Sequence, residues 1–309
     1  MRGLFAIALI SIGILATNHE LYAQGQEGDV RQLVWVDRSG QVLGEIGPRM
    51  NSILDPAISP DGSEVAVRGR PEWGNTDHLW VLAGEGGQRL TTNQGSERHM
   101  IYSPDGSRIA YSIQNSGGVS NLFVRPADGS GGDEPVLVDD SAHHWYPTWS
   151  ADASTLVYHI AVPGESGRDL GWVNVETGET GILVDDEGVQ ALARFSRDGR
   201  FVAYQSDQDG QPEVYVTTFP RSDARWKVST NGGSWPKWSH DELFYWEGNT
   251  LVAVPFTSDG GFNAGTPQRL FTGAQVGSSP TNMMTAFNTE YDVSADGQRF
   301  VVVQHLEQR

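Results

Sequence analysis

Apolar residues along this chain fall in short runs on nearly successive positions, separated by clusters of glycine, aspartate and serine. The runs EVAV from Glu64, RIAY from Arg108, TLVY from Thr155 and FVAY from Phe201 each predict a strand covered on both faces. A first run stands before each, ending at Ile58, at Trp149, at Phe195 and, further on, at Trp238. Third runs follow: HLWVL from His78, NLFVR from Asn121, LGWVN from Leu170, EVYVT from Glu213 and TLVAV from Thr250. Fourth runs are QRLT from Gln88, PVLV from Pro135, GILV from Gly181 and WKVS from Trp226. The 3.6-residue rhythm of an amphipathic helix is absent, so the chain reads as all-β.

Between first and second runs the same turn returns, Ser-x-Asp-Gly. Its serines are Ser59, Ser103, Ser150, Ser196, Ser239 and Ser294, with gaps of 44, 47, 46, 43 and 55 residues. A period in the mid-forties with four strands per unit predicts a β-propeller. The turn residues are Asp61 and Gly62, Asp105 and Gly106, Asp152, Asp198 and Gly199, Asp241, and Asp296 and Gly297. Their expected role is structural: glycine supplies a positive φ, while serine and aspartate cap the turn's own amides. Two copies depart from the pattern. The third carries Ala153 where glycine is expected, and the fifth runs from Asp241 straight into LFYW, which puts both in doubt as standard hairpins.

Five full units leave a remainder at each end. LVWVDRSGQVLGEIG, residues 33–47, supplies a third and fourth strand, and YDVSADGQRFVVVQ from Tyr291 supplies a first and second. Pairing them in one sheet predicts a six-bladed β-propeller of four-stranded blades, closed by its N- and C-terminal strands with no free edge. Seven blades is the alternative.

The first residues change the picture of location. Arg2, the apolar run Leu4 to Ala16 and a polar stretch ending at Ala23 form a signal-peptide pattern. The run has 13 residues, too short to span a bilayer. Cleavage after Ala23 is expected, leaving 24–309 as the propeller, exported to the bacterial periplasm or secreted; an uncleaved anchor is the alternative. The chain has no cysteine, which excludes a disulfide scaffold and a cysteine-linked lipid anchor. A formal net charge of −18 argues against nucleic acid, which needs a basic face. The mature chain is expected to be monomeric and not stably inserted in a membrane.

Function is expected on the rim opposite the turns, around the channel mouth. Segments entering the first strands there bring together Arg98, His99, His144, Trp145, Tyr146, Trp235 and Lys237, and Trp73 sits in a long loop on the same rim. Rigid aromatic rings with a few charges suit a protein or peptide contact. His143 and His144 are adjacent on an extended segment and point to opposite sides, so they make no chelating pair by themselves. The acidic runs Asp139 to Asp140 and Asp185 to Glu187 read as solvated loops. The chain has no Gly-x-Ser-x-Gly, His-Glu-x-x-His or nucleotide fingerprint. No cofactor is implied, and the main reading is non-catalytic. The alternative is a propeller hydrolase or lyase using His99 and His144 with Glu290 or Asp55, metal-assisted or not.

Ser-Pro-Asp-Gly at 59–62 and 103–106, in this repeat over nearly the whole mature chain, resembles the TolB-like propellers of bacteria. More narrowly, LVWVDRSG from Leu33, ARFSRDGRFVAYQSD from Ala193, EVYVTTFP from Glu213, FNAGTPQRLF from Phe262 and EYDVSADGQRF from Glu290 resemble the propeller attached C-terminally to some bacterial serine/threonine kinases. No kinase motif accompanies them. The resemblance implies a six-bladed binding or sensor-like module rather than an enzyme.

Overall fold

The computed structural model describes residues 30–72, 74, 76–92, 96–279 and 288–306. The leader expected over 1–23 and Trp73 lie outside them. The described residues are all-β apart from a one-turn helix, Gly273–Val276.

The apolar runs form strands where the pattern put them. One four-stranded sheet holds Ser96–Tyr102, Arg108–Gln114, Ser120–Pro126 and Glu134–Leu137 in chain order. The next holds His143–Trp149, Thr155–Ala161, Asp169–Asn174 and Thr180–Val184. A third is made of Gln190–Phe195, Phe201–Ser206, Glu213–Thr218 and Arg225–Lys227. In a fourth, Ser234–Trp238 and Glu242–Glu247 lead to Thr250–Thr257, which pairs with both Asn263–Ala264 and Gln268–Thr272. The paired strands are antiparallel throughout.

The remaining strands make one seven-stranded sheet, in the order Tyr291–Val293, Arg299–Leu306, Val30–Asp37, Val42–Ile58, Val65–Pro71, His78–Ala83 and Gly86–Arg89. Arg299–Leu306 runs in register against Val30–Asp37 from Val30↔Leu306 to Asp37↔Arg299. The strand Val42–Ile58 is 17 residues long and changes partner halfway. Up to Met50 it pairs with Val30–Asp37, and from Met50 onward with Val65–Pro71. Sequence patterning suggested two separate strands there. Gly47 lets the chain bend without a loop: its φ is +64°, and an added Cβ would lie 2.9 Å from a Leu82 methyl.

Burial is concentrated between sheets. Phe201, Val214 and Val216 meet Trp238, Leu243, Tyr245 and Val252 of the following sheet. Ala66, Leu79 and Val81 likewise meet Met100, Tyr102, Ile109 and Tyr111. Each junction is a small core, which is why successive residues of a strand are apolar.

The turn works as its composition requires. In five copies the serine hydroxyl donates to the aspartate, at 2.7 Å from Ser59 to Asp61, 2.5 Å from Ser103 to Asp105, and 2.6 Å in the pairs Ser150–Asp152, Ser196–Asp198 and Ser294–Asp296. The same hydroxyl accepts the amide five residues on, Arg108 N–H to Ser103 at 3.0 Å for example. These bonds, the serine's first, hold the Asp61 and Asp105 carboxyls down at about 2. The third copy, doubted for want of glycine, keeps the same hairpin with Ala153 at φ +56°. The fifth does depart. Ser239 receives the Glu242 amide at 3.2 Å, and Arg38 closes on Glu242 at 2.7 Å, so Asp241 does not take the capping role expected of it.

Candidate functional site

Four residues before the turn serine, the first strands share a feature no residue type announced. Asp55, His99, Tyr146, Leu192 and Trp235 all have φ between +53° and +58°. Each falls where the register between first and second strand slips by one residue, a β-bulge. A left-handed conformation costs a residue with a Cβ on the order of 1 kcal/mol, so five copies need local compensation. Asp55 has it in a reciprocal pair with Thr289, accepting that amide at 2.8 Å and donating its own to the Thr289 carbonyl at 2.8 Å. The Leu192 amide donates to His159 Nε2.

Most of the residues assigned to the mouth are buried: His99 is 7% exposed, His144 4%, Trp145 8%, Tyr146 3%, Trp235 4% and Lys237 6%. Of the set only Arg98 is half-buried. This corrects the picture of exposed aromatic anchors. The rings are too large to stand free in the space between first strands, and they fill it. Trp145, Tyr146 and Trp235 join one apolar cluster with Leu192, Trp246 and Tyr291. Tyr146 stacks on His99 with ring centroids 3.5 Å apart and lies 4.8 Å from His159. The Tyr291 hydroxyl donates to the Trp235 carbonyl at 2.5 Å.

The two histidines offered as an acid/base pair part company. His99 Nδ1 is 3.1 Å from the Ser112 hydroxyl, while His144 sits edge-on to Tyr158 at 5.4 Å. His143 turns the other way from His144, stacking on Trp145 at 4.5 Å and accepting the Ser120 amide at 3.3 Å. Among the described residues no group of three His, Cys, Asp or Glu side chains is placed to hold a metal ion.

What the first strands bring together instead is charge. Asp55 is 4% exposed; burial pushes its carboxyl up, and Arg68, Lys237 and Arg194 pull it back by their fields. Lys237 makes an ion pair with Asp292 at 3.1 Å and lies over the Tyr291 ring at 5.9 Å. Its burial outweighs that pairing and takes the ammonium down to about 8. His99 and His159 are held neutral well below the ordinary range, first by burial and then by the surrounding cations, Arg68, Arg98 and Arg194 for His99 and Arg168 and Arg194 for His159. Arg168 enters from a loop and lies over the Trp145 ring at 5.4 Å. Arg68 also bonds Asn288 at 3.1 Å and faces Asp77 at 3.7 Å.

Sequence reasoning missed Arg68, Arg168, Arg194, His159, Tyr291 and Asp292. One signal was present. Two residues before the turn serine the repeats read Ala57, Ile101, Thr148, Arg194, Lys237 and Asp292, a column that turns from neutral to charged in its second half.

All-β sheets that follow one another along the chain, with a Ser-x-Asp-Gly hairpin between first and second strands and small cores between the sheets, make a propeller fold similar to that of TolB structures, and comparison with solved structures agrees. A putative TolB from Agrobacterium tumefaciens superposes with a TM-score of 0.66 at 17% identity, covering 91% of this chain and 99% of that one. An oligogalacturonate lyase solved with manganese gives 0.54 at 14% identity over 78% of this chain and 67% of that one, so the fold is not tied to one activity. In sequence the particular likeness is to the Tol-Pal system protein TolB of Anaeromyxobacter dehalogenans strain 2CP-C, 33% identical over 154 residues. That stretch is 48% of this chain and spans 30% of the relative's length. No family model matches. Among the described residues no helix is long and apolar enough to cross a membrane.

Proposed function

We propose that this chain is an exported, periplasmic six-bladed propeller that binds a protein or peptide segment at the mouth of its central channel, without catalysis. The ring is supported by the order of contacts between first strands. Val42–Ile58 packs on Ser96–Tyr102, that strand on His143–Trp149, and so on through Gln190–Phe195, Ser234–Trp238 and Tyr291–Val293 back to Val42–Ile58. In this reading Val42–Ile58 serves two blades, and the pairing of Arg299–Leu306 with Val30–Asp37 is the closure. Periplasmic location rests on the leader pattern and on the likeness to a Tol-Pal system protein, a name that also favours a protein partner. The narrower likeness to kinase-attached propellers rests on sequence motifs alone.

The observation that carries the binding reading is the convergence of charged side chains from different sheets on Asp55 and His99, a place that in this reading lies at the rim away from the Ser-x-Asp-Gly turns. In this reading Trp145, Tyr146, Trp235, His99 and His144 form the floor and walls, and the half-buried Arg98, Arg168 and Arg194 are the groups a partner touches. The hydrolase or lyase alternative is weaker, because His99 and His144 have separate surroundings. The test is light cross-linking in the envelope fraction, comparing wild type with an Arg98→Gln/Arg168→Gln variant of unchanged melting behaviour. A partner held by wild type and lost from the variant supports the mouth; equal recovery from both places binding elsewhere and overturns the proposal.

A further inference from the structure

Five cationic side chains, Arg68, Arg98, Arg168, Arg194 and Lys237, share this region with two carboxylates, Asp55 and Asp292, in a protein whose net charge is −18. Arg70 and Asp77, which face each other at 3.8 Å beside Arg68, add one charge of each sign and leave the excess as it was. The local sign is therefore opposite to that of the molecule. Hydrogen bonding at this centre is also incomplete. Arg194 spends one nitrogen on the Ala193 carbonyl at 2.8 Å, and among the described residues its buried Nε has no hydrogen-bond partner. The buried Oδ2 of Asp55 has none either. Buried polar atoms are usually hydrogen-bonded, so these two can each still take a partner.

Resting on the binding reading above, we propose that the channel mouth is selective for an acidic peptide segment, whose carboxylates meet Arg98 and Arg168 at the rim and Arg194 further in. The cations come from four different strands and a loop, so several carboxylates along one extended chain match them better than one small anion does. A sugar polyanion would be held by rings stacking on exposed aromatic faces, and Trp145, Tyr146 and Trp235 offer no such face. The acidic exterior adds direction: it repels a carboxylate-rich segment everywhere except where the local field reverses, so productive encounters are steered to the mouth.

The experiment is fluorescence anisotropy on the full chain with three end-labelled decapeptides, alternating Gly with Glu, with Gln or with Lys. The Glu peptide is expected to bind about tenfold or more tightly than the Gln peptide, and the Lys peptide not to bind at the mouth. Arg98→Gln/Arg168→Gln is expected to weaken the Glu peptide by about tenfold, given the coupling of close charge pairs. Arg98→Lys/Arg168→Lys should keep most of the affinity. Arg200→Gln, on the turn rim where Arg200 pairs with Asp198 at 2.7 Å, should change nothing. Should the double Gln variant fail to fold, Arg168→Gln alone carries the test. Equal binding of Gln and Glu peptides, lost in the mouth variants, would overturn the acid selectivity and leave the peptide-binding reading intact. Binding of tetragalacturonate with no peptide bound at all would overturn both. Equal loss in the Arg200 variant would reduce the effect to bulk charge and sink the proposal.

Discussion

Lys237 is the group whose burial can be read most directly as energy. Lys237→Met keeps the length of the side chain, removes the ammonium, and leaves Arg194 to face Asp292. In the folded protein the ammonium falls from 10.5 to about 8, with desolvation the first cause. Each factor of ten in proton affinity is worth about 1.4 kcal/mol, so charging this side chain is roughly 3 kcal/mol harder in the fold than in the open chain. The side chain is only 7% exposed, so solvent screening takes little from that figure. Between about pH 8 and pH 10.5 the unfolded chain holds a proton that the folded protein has released. Stability must therefore rise with pH in that window, at up to about 1.4 kcal/mol per pH unit, and be flat below it as far as this group is concerned. Urea unfolding of wild type and Lys237→Met, followed by tryptophan fluorescence from about pH 7 to about pH 10, gives the difference directly. Wild type is expected to gain on the variant by roughly 2 to 3 kcal/mol across the range. Two curves that stay parallel would refute the reasoning, since they would mean that Lys237 keeps its ordinary proton affinity in the fold.

Two further outcomes test other parts of the fold. Ser103→Ala removes the hydroxyl that both donates to Asp105 and accepts from the Arg108 amide, and is expected to lower stability by about 1 kcal/mol in thermal or urea unfolding; no change would mean that the turn holds without its cap. The depressed histidines His78, His99, His143, His144 and His159 predict a loss of stability on acidification. The unfolded chain takes up protons near pH 6.5 that the folded protein refuses, so stability is full above that value and falls progressively below it. Asp55 and Glu97, raised by burial, act the other way, so comparison with His144→Phe isolates the histidine part. Its urea midpoint should fall less steeply than wild type between about pH 7.5 and 5, and an identical slope would contradict the account.

The frame was legible because its chemistry is local. A serine, an aspartate and a glycine within four residues close a turn among themselves, and the same bonds recur wherever those residues stand. Apolar runs were legible for a similar reason, since a strand covered on both faces leaves no polar alternation. The site was not legible, because its determinants are distant and conformational. Tyr146 and Trp235 read as surface anchors from residue type, yet a left-handed backbone and a crowded interior turn them into packing. Arg68 and Arg194 stand far apart in the chain, and only the stacking of sheets brings their fields onto Asp55 and His99. Val42–Ile58 shows the same limit on a smaller scale: its polar middle reads as a break between strands, whereas Gly47 allows the strand to run on.

The register between Val30–Asp37 and Arg299–Leu306 has a temporal side. Arg31 and Glu290, which meet at 3.3 Å beside that register, are 259 residues apart. The first strand is thus made long before the strand it needs, and until then it presents an unpaired edge open to other chains. Joining ends so distant costs roughly 1.5 kcal/mol more than joining a blade-length loop, since the penalty grows with the logarithm of length. Completion is therefore a late event in folding, reached after the intervening sheets exist to hold the two strands near each other. The same arrangement works in reverse once the eight residue pairs are formed. Neither strand can then peel away without opening a sheet, so the molecule that is slow to finish is also slow to come apart.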